Sequence, residues 1–420
     1  MLRAIGVLVA FIVIIFLIRK KVTFGFALIL GSGIVSLFSL EYLLQGVALD
    51  TVGTLLGQAS LELIDQSLEL AVLMTLIFML AKSMQLTGGI QQLINSLRTL
   101  FSKGGILALI PAVYGLMPVP GGALFSAPSI DEEGAKFQLS KNQKNFLNVW
   151  FRHIWFPVYP ISQALILICS SEFANIDIYQ LILVNIPSFI AFVCIGYFFL
   201  RRFLKNTSKK SETKIEKSYS GLVFLLPPLV PLGVYAVLQV FGVPQVRSFI
   251  VGVALSLILL YYLVDKTPGQ YWGVLRSSAT WKPALAITSI MLFRMVFEAT
   301  GTNVFFADVI SSWAIPSVLI IVLLPLVLGL FTGYNLGAIA LSYFLVEPFF
   351  ASTSISHVGI ASLIFTSSLV GYLVSPIHLC NVLSSEYLKT DTTRMYHMYL
   401  PAAGVLLIVQ VVAVLVLCSA

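Results

Sequence analysis

Residues 106 to 130 read Ile-Leu-Ala-Leu-Ile-Pro-Ala-Val-Tyr-Gly-Leu-Met-Pro-Val-Pro-Gly-Gly-Ala-Leu-Phe-Ser-Ala-Pro-Ser-Ile. The stretch is long and apolar enough to cross a bilayer core of about 30 Å. Met117-Pro118-Val119-Pro120-Gly121-Gly122 interrupts its centre. Proline lacks a backbone donor, and the cluster frees N–H and C=O groups that hydrocarbon cannot satisfy. The pattern predicts a re-entrant hairpin whose tip lies at membrane depth, with a new helix starting near Ala123.

The rest of the sequence agrees with a lipid solvent. Only 10% of the 420 residues are charged and 58% are hydrophobic, far from the quarter charged expected of a soluble domain. The opening run Leu2 to Ile18 is followed, not preceded, by Arg19, Lys20 and Lys21, and no small-residue cleavage site follows. It reads as a spanning helix rather than a signal peptide. The net charge of +7 sits in short segments between apolar runs, as an orientation signal does, so no nucleic-acid partner is expected. Cys169, Cys194, Cys380 and Cys418 lack metal-ligand spacing and read as packing thiols.

With Arg19 to Lys21 inside, the crossings can be counted. Val22 to Leu44 goes out, Asp50 to Gln66 stays outside, and Leu68 to Leu86 returns to a side carrying Arg98 and Lys103. If 106 to 130 enters and leaves on one face, Lys136, Lys141 and Lys144 stay inside. Val149 to Ile168 and Ile178 to Leu200 then deliver the chain to its most basic loop, Arg201 to Lys217. A full crossing at 106 to 130 would put that loop outside, so charge favours the hairpin.

The second half repeats the pattern inverted: Tyr219 to Val240, Ser248 to Val264, Pro283 to Phe297, a second hairpin over 314–350 broken at Thr332-Gly333-Tyr334-Asn335-Leu336-Gly337, then Val358 to Val374 and Met398 to Leu417. The expected architecture is an all-α polytopic membrane protein of two inverted-topology repeats, 1–200 and 219–420, joined by a cytoplasmic basic linker over 201–218. Each repeat has about five transmembrane helices, a re-entrant hairpin and a broken helix, at 149–168 in the first and 358–386 in the second. Inverted repeats with broken helices mark secondary transporters.

The breaks carry the candidate chemistry. Pro120, Gly121 and Gly122 open a helix N-terminus whose free amides and dipole suit an anion, and Ser126 lies one turn along. Gly333, Tyr334, Asn335 and Gly337 do the same in the second half. Arg152 and His153, after the first hairpin, fit either a substrate role or, for Arg152, snorkelling to the surface. Ser375, Asn381 and Ser384 offer oxygens for sodium, with Gly121, Asn335 and Ser375 as a possible Na+ set, while His378 suits substrate binding or proton coupling. Arg294 and Glu298, spaced i, i+4, read as a structural ion pair.

Met117 to Pro128, with Asn148 to His153 and Ser375 to Cys380, resembles the prokaryotic integral-membrane family catalogued as domain of unknown function 401, across nearly the whole chain. That family is grouped with the ion transporter superfamily, alongside divalent-anion/sodium symporters and gluconate and lactate permeases. The resemblance implies scaffold and transport regions, a homodimer in the cytoplasmic (inner) membrane, and elevator-like movement of substrate. The tips Pro-Gly-Gly and Gly-Tyr-Asn differ from the Ser-Asn-Thr tips of the divalent-anion symporters.

The leading expectation is a transporter, not an enzyme, for a small organic anion of carboxylate type. No nucleotide-binding loop is present, which leaves H+ or Na+ as the coupling ion and requires no cofactor. A cation/proton antiporter is the alternative within transport, with Glu298 and Glu347 as its poor candidates. An intramembrane enzyme using His153 or His378 with Ser126 or Ser384 is the alternative outside it. Those residues fall on segments expected to enter from opposite sides.

Overall fold

The computed structural model describes residues 2–40, 49–100, 104–117, 121–205, 219–264, 273–274 and 276–419. All of the named elements among them are helical. Among the described residues, six helices are long and apolar enough to cross a membrane: Gln58–Leu86, Ile178–Leu204, Ser220–Val240, Gln245–Leu263, Asn335–Ser352 and Met395–Leu417. Shorter apolar helices accompany them, and large hydrophobic side chains such as Leu183, Phe198, Ile258 and Val416 face outward. In water such a surface would aggregate; in lipid it is matched. The chain is a multi-pass membrane protein.

Helices α1 (Leu2–Arg19), α2 (Phe24–Phe38), α3 (Leu49–Leu86) and α4 (Gly89–Leu100) lead to α5 (Ile106–Gly115) and α6 (Ala123–Lys136). Then come α7 (Lys141–Arg152), α8 (Gln163–Cys169) and α9 (Ile178–Leu204). A 3-10 turn over Ser220–Leu225 opens α10 (Leu226–Val240), followed by α11 (Gln245–Leu263), α12 (Ser278–Ala299) and α13 (Thr302–Ser311). The chain continues through α14 (Ser317–Thr332), α15 (Asn335–Val346), α16 (His357–Leu373), α17 (Leu379–Leu388) and α18 (Thr392–Leu417).

Four interruptions fall where proline and glycine cluster in the sequence: between α5 and α6, α7 and α8, α14 and α15, and α16 and α17. One element is longer than expected, since α6 continues to Lys136 rather than stopping at Ile130. The stretch Asp50 to Gln66, expected as a separate outer segment, instead belongs to the 38-residue α3. It contains no proline and many good helix formers, so nothing stops the helix at the polar boundary. Pro118, Val119 and Pro120, and positions 206–218 of the linker, lie outside the described residues.

The packing pairs recur nine elements apart. Helix α1 packs on α2 and α10 on α11; α2 packs on α12 and α11 on α3; α5 packs on α7 and α14 on α16. In the same way α7 meets α9 and α16 meets α18, while α6 meets α17 and α15 meets α8. Helices α3 and α12, and likewise α9 and α18, stand nine apart and pack against each other.

Proline inside α9 shows how opened backbone is closed here. Pro187 cannot donate and distorts the ladder beside it. The buried Gln410 of α18 inserts its amide at this point: the Ser188 N–H donates to Oε1 at 3.1 Å, and Nε2 donates to the Val184 carbonyl at 2.8 Å. One side chain thus splices the partners of a single helical hydrogen bond. Nε2 also donates to Ser362 Oγ at 2.6 Å, whose hydroxyl donates to Asn185 Oδ1 at 2.7 Å. Replacing Gln410 with Leu keeps the volume and removes the splice. Gln410→Leu is expected to cost about 1–2 kcal/mol for each interhelical bond whose loss is felt, read as a lowered Tm in detergent. An unchanged Tm would show that α9 closes its ladder without help.

Candidate functional site

Helix α5 ends in the interior, so its last carbonyls need donors from elsewhere. Two side chains after the next helix supply them. Trp155 Nε1 donates to the Ala112 carbonyl at 3.1 Å. Arg152, at the C-terminal end of α7 and only 3% exposed, donates from Nη1 to the Tyr114 carbonyl at 2.6 Å and from Nη2 to the Met117 carbonyl at 3.2 Å. Of the two readings open from sequence, surface snorkelling is therefore not what Arg152 does. It brings a full positive charge to the first break.

Gly122 is required there by close approach. A Cβ on it would lie 1.9 Å from Arg152 Nη2, so any side chain displaces the guanidinium. Gly121, at φ +70°, turns the chain into α6 and packs against Leu379 and Leu383 of α17. The N–H groups of Leu124 and Phe125 fold back on the Gly121 and Gly122 carbonyls, which tightens the first turn. Gly122, Arg152, Tyr114, Met117, Phe125 and Gln85 are among the residues lining a cleft of about 10 Å³, room for about one water.

Beside the start of α6, amides and hydroxyls from distant parts of the chain meet. Ser126 Oγ donates to Asn148 Oδ1 at 2.6 Å. Asn148 Nδ2 donates to the Ala123 carbonyl at 2.9 Å and to Ser384 Oγ at 2.8 Å. One turn earlier on α7, Asn145 Nδ2 donates to Ser385 Oγ at 2.7 Å and to Asn381 Oδ1 at 3.3 Å. All of these residues are buried. Ser126 and Ser384, on segments expected to enter from opposite sides, are brought within reach of one another by Asn148, which bridges them. Their hydroxyls bond an amide, and among the described residues neither bonds an imidazole.

The second break is built differently. Gly333, at φ +59°, stops α14 in the left-handed region that favours glycine, and it lies against Ile377. Ser375 Oγ donates to the Leu330 carbonyl at 2.6 Å, serving α14 as Arg152 serves α5. Asn335 Oδ1 accepts from Ser368 Oγ at 2.7 Å, while its Nδ2 is buried without a partner among the described residues. Tyr334 packs edge-on against Phe24 at 5.2 Å, and Gly337 faces the same ring. Gly121 therefore packs on α17, Asn335 pairs with Ser368 and Ser375 serves the Leu330 carbonyl.

The remaining candidates form a third group. His153 Nδ1 lies 2.6 Å from the Val149 carbonyl and Nε2 lies 3.1 Å from the Tyr372 hydroxyl. The His378 ring stands 4.8 Å from that of His153, centre to centre, and 3.9 Å from that of Tyr372. Cys380 is beside them, fully in the interior.

The family model described as "Protein of unknown function (DUF401)" matches residues 2–417. The chain belongs to the DUF401 family. No curated protein matches it. In this DUF401 chain, the sites expected at Gly121, Gly122, Ser126 and Arg152 come together with Ser384, and His153 comes together with His378. Asn381 joins Asn145 one turn away, and Asn335 remains a separate pair with Ser368.

Asn145, Tyr372 and Cys380 were not foreseen as site residues. Asn145 and Asn148, three apart on a helix, share a face, and so do Asn381, Ser384 and Ser385; that periodicity was the available signal. Nothing local marks Tyr372 or Cys380, because His153, which completes the group with His378, comes from the other half of the chain.

The Gly122–Arg152 contact generates a double-mutant test. Gly122→Ala should destabilise the wild-type background strongly but cost little when Arg152→Ala is also present. The expected coupling is about 0.5–3 kcal/mol, measured by thermal unfolding of the four purified proteins. Additive effects would show that the guanidinium does not occupy the space beside Gly122.

Proposed function

We propose that this DUF401 protein is a secondary active transporter that moves a small carboxylate-type organic anion across the cytoplasmic membrane of a prokaryote, driven by a gradient of H+ or Na+. The observation that carries the reading is at the first break. The buried Arg152 guanidinium and the N-terminal end of α6 lie together, and both favour negative charge. Through Asn148 the same tip is tied to Ser384 of the second half. Arg152 and the α6 tip are assigned to anion recognition, with Ser126, Asn148 and Ser384 as hydrogen-bonding groups. The cleft is tight in this arrangement, so substrate enters when the two sides separate.

The proposed architecture is two inverted repeats, residues 1–200 and 219–420, related by a pseudo-twofold axis in the membrane plane. Its support is the recurrence of packing pairs nine elements apart, including the two pairs that meet their own counterparts, as elements near a twofold axis do. Two interrupted segments then belong to each repeat, the helical hairpins α5–α6 and α14–α15 entering from opposite faces. Helices α5–α8 and α14–α17 pack with one another, and the larger contacts they make with α1–α3 and α10–α12 are α1 with α14 and α12 with α15. This division suits a mobile transport region sliding on a scaffold in an elevator-like displacement.

The alternatives gain less. A cation/proton antiporter needs a carboxylate among the meeting groups, whereas the network above is built of amides, hydroxyls and a guanidinium. Arg294 is bound to Glu298 at 2.7 Å and Glu172 at 2.9 Å, which gives Glu298 a structural partner. An intramembrane serine hydrolase needs a hydroxyl–imidazole pair, and Ser126 and Ser384 are engaged by Asn148.

Purified protein in proteoliposomes, offered labelled carboxylates and sugar acids under imposed H+ or Na+ gradients, is expected to accumulate at least one of them. Arg152→Lys keeps the charge but loses the two-pronged geometry, and it should lower the initial rate roughly tenfold, the factor that about 1.4 kcal/mol represents. Uptake that ignores both gradients, or no movement of any anion, would contradict the proposal.

A further inference from the structure

We propose that His153, His378 and Cys380 form a binding site for a transition-metal ion of the zinc class, buried between the broken segment that follows α7 and the one that precedes α17. The donor atoms of the three side chains all lie within 4.8 Å of one another, and all three residues are buried. Two imidazoles and a thiol are a ligand set suited to Zn2+ and to Cu+, and poorly suited to Na+, K+ or Mg2+.

The hydrogen bonding of His153 prepares it for this role. The Val149 carbonyl, 2.6 Å from Nδ1, can only accept, so the Nδ1 position carries the proton. Nε2 is then the lone-pair nitrogen, and it points into the group toward the Tyr372 hydroxyl at 3.1 Å. Metal-binding histidines are held in this way, with the far nitrogen donating to a backbone carbonyl. His378 supplies the independent sign of a ligand. It is 0% exposed, and neither of its ring nitrogens meets a hydrogen-bond partner among the described residues, although the Leu373 backbone and Cys380 lie beside it. A buried imidazole left this way is costly, and a metal bond would satisfy it.

The geometry needs a modest contraction. Ligands at about 2.0–2.3 Å from a tetrahedral zinc stand about 3.4–3.6 Å apart, so the donor atoms close by roughly 1 Å. Binding displaces the thiol proton of Cys380 to solvent and leaves a thiolate on the metal. Tyr372 oxygen or a water takes the fourth position. The site makes no use of the carboxylate assignment at the α6 tip, and its ligands come from both halves of the chain. A bound ion would therefore tie the two broken segments together.

The test uses the full chain in lipid nanodiscs, stripped with chelator and loaded with Zn2+ or Co2+. The expected result is one metal per chain retained through gel filtration, with a thiolate-to-cobalt charge-transfer band and ligand-field bands of tetrahedral intensity. Cys380→Ser should abolish the charge-transfer band, His378→Gln should reduce retained metal at least roughly tenfold, and Cys169→Ser, at a buried thiol elsewhere, should change neither. X-ray absorption of the Zn2+-loaded wild type should give one sulfur and two imidazole nitrogens, a readout that stands even where a variant fails to fold. Retention of no metal by the wild type, a shell without sulfur, or binding indifferent to Cys380→Ser and His378→Gln overturns the proposal. Each outcome is independent of whether any anion is transported.

Discussion

Backbone polar groups opened inside a membrane protein have to be closed by something other than lipid or bulk water, and most of what is distinctive in this molecule follows from that constraint. Proline and glycine interrupt helices at four places, and at three of these, as at the proline inside α9, a closing group comes from another segment. Arg152 and Trp155 close the end of α5. Asn185 of α9 donates to the Pro157 carbonyl in the second interruption at 3.1 Å. Ser375 closes the end of α14, and Gln410 splices α9 across Pro187. An interrupted helix is stable here only because a particular neighbour is in place.

That dependence couples distant parts of the chain. Asn148 holds Ser126, the Ala123 carbonyl and Ser384 at once, so displacing the α6 tip disturbs α17. In a low-dielectric interior such amide and hydroxyl contacts are strong when satisfied and costly when broken. A ligand that replaces some of them can trade one arrangement for another at small net free energy, whereas continuous helices offer no such exchange. The proposed carrier chemistry and the proposed metal site draw on the same property. The first has a buried cation beside a helix start, and the second has an imidazole whose nitrogens lack partners among the described residues.

The sequence made the helical, multi-pass character legible, because apolar length and the scarcity of charge admit few other solutions. It also located the interruptions: Pro118 to Gly122, Pro157 to Pro160, Gly333 and Ser375-Pro376 each disfavour helix by a known local mechanism. What it withheld was the partner at each opening. Arg152 reads equally well as a surface anchor until α5 is seen to end against it. Gln410 reads as an ordinary polar residue in α18. Cys380 reads as a packing thiol because its neighbours His153 and Tyr372 are brought to it by tertiary packing rather than by spacing. Helix boundaries were legible only where a breaker stood; where none did, as between Asp50 and Leu68, one helix ran through.

The central claim is that the chain is two halves of opposite orientation whose interruptions face each other. It is tested most directly by the sidedness of two equivalent turns, the one after α6 and the one before α16. In a Cys194→Ser background, single cysteines at the exposed positions Lys141 and Ser354 are challenged with a membrane-impermeant maleimide in sealed cells and in inverted vesicles. The account predicts that position 354 is labelled from outside and position 141 only in inverted vesicles. Labelling of both from the same side would contradict it.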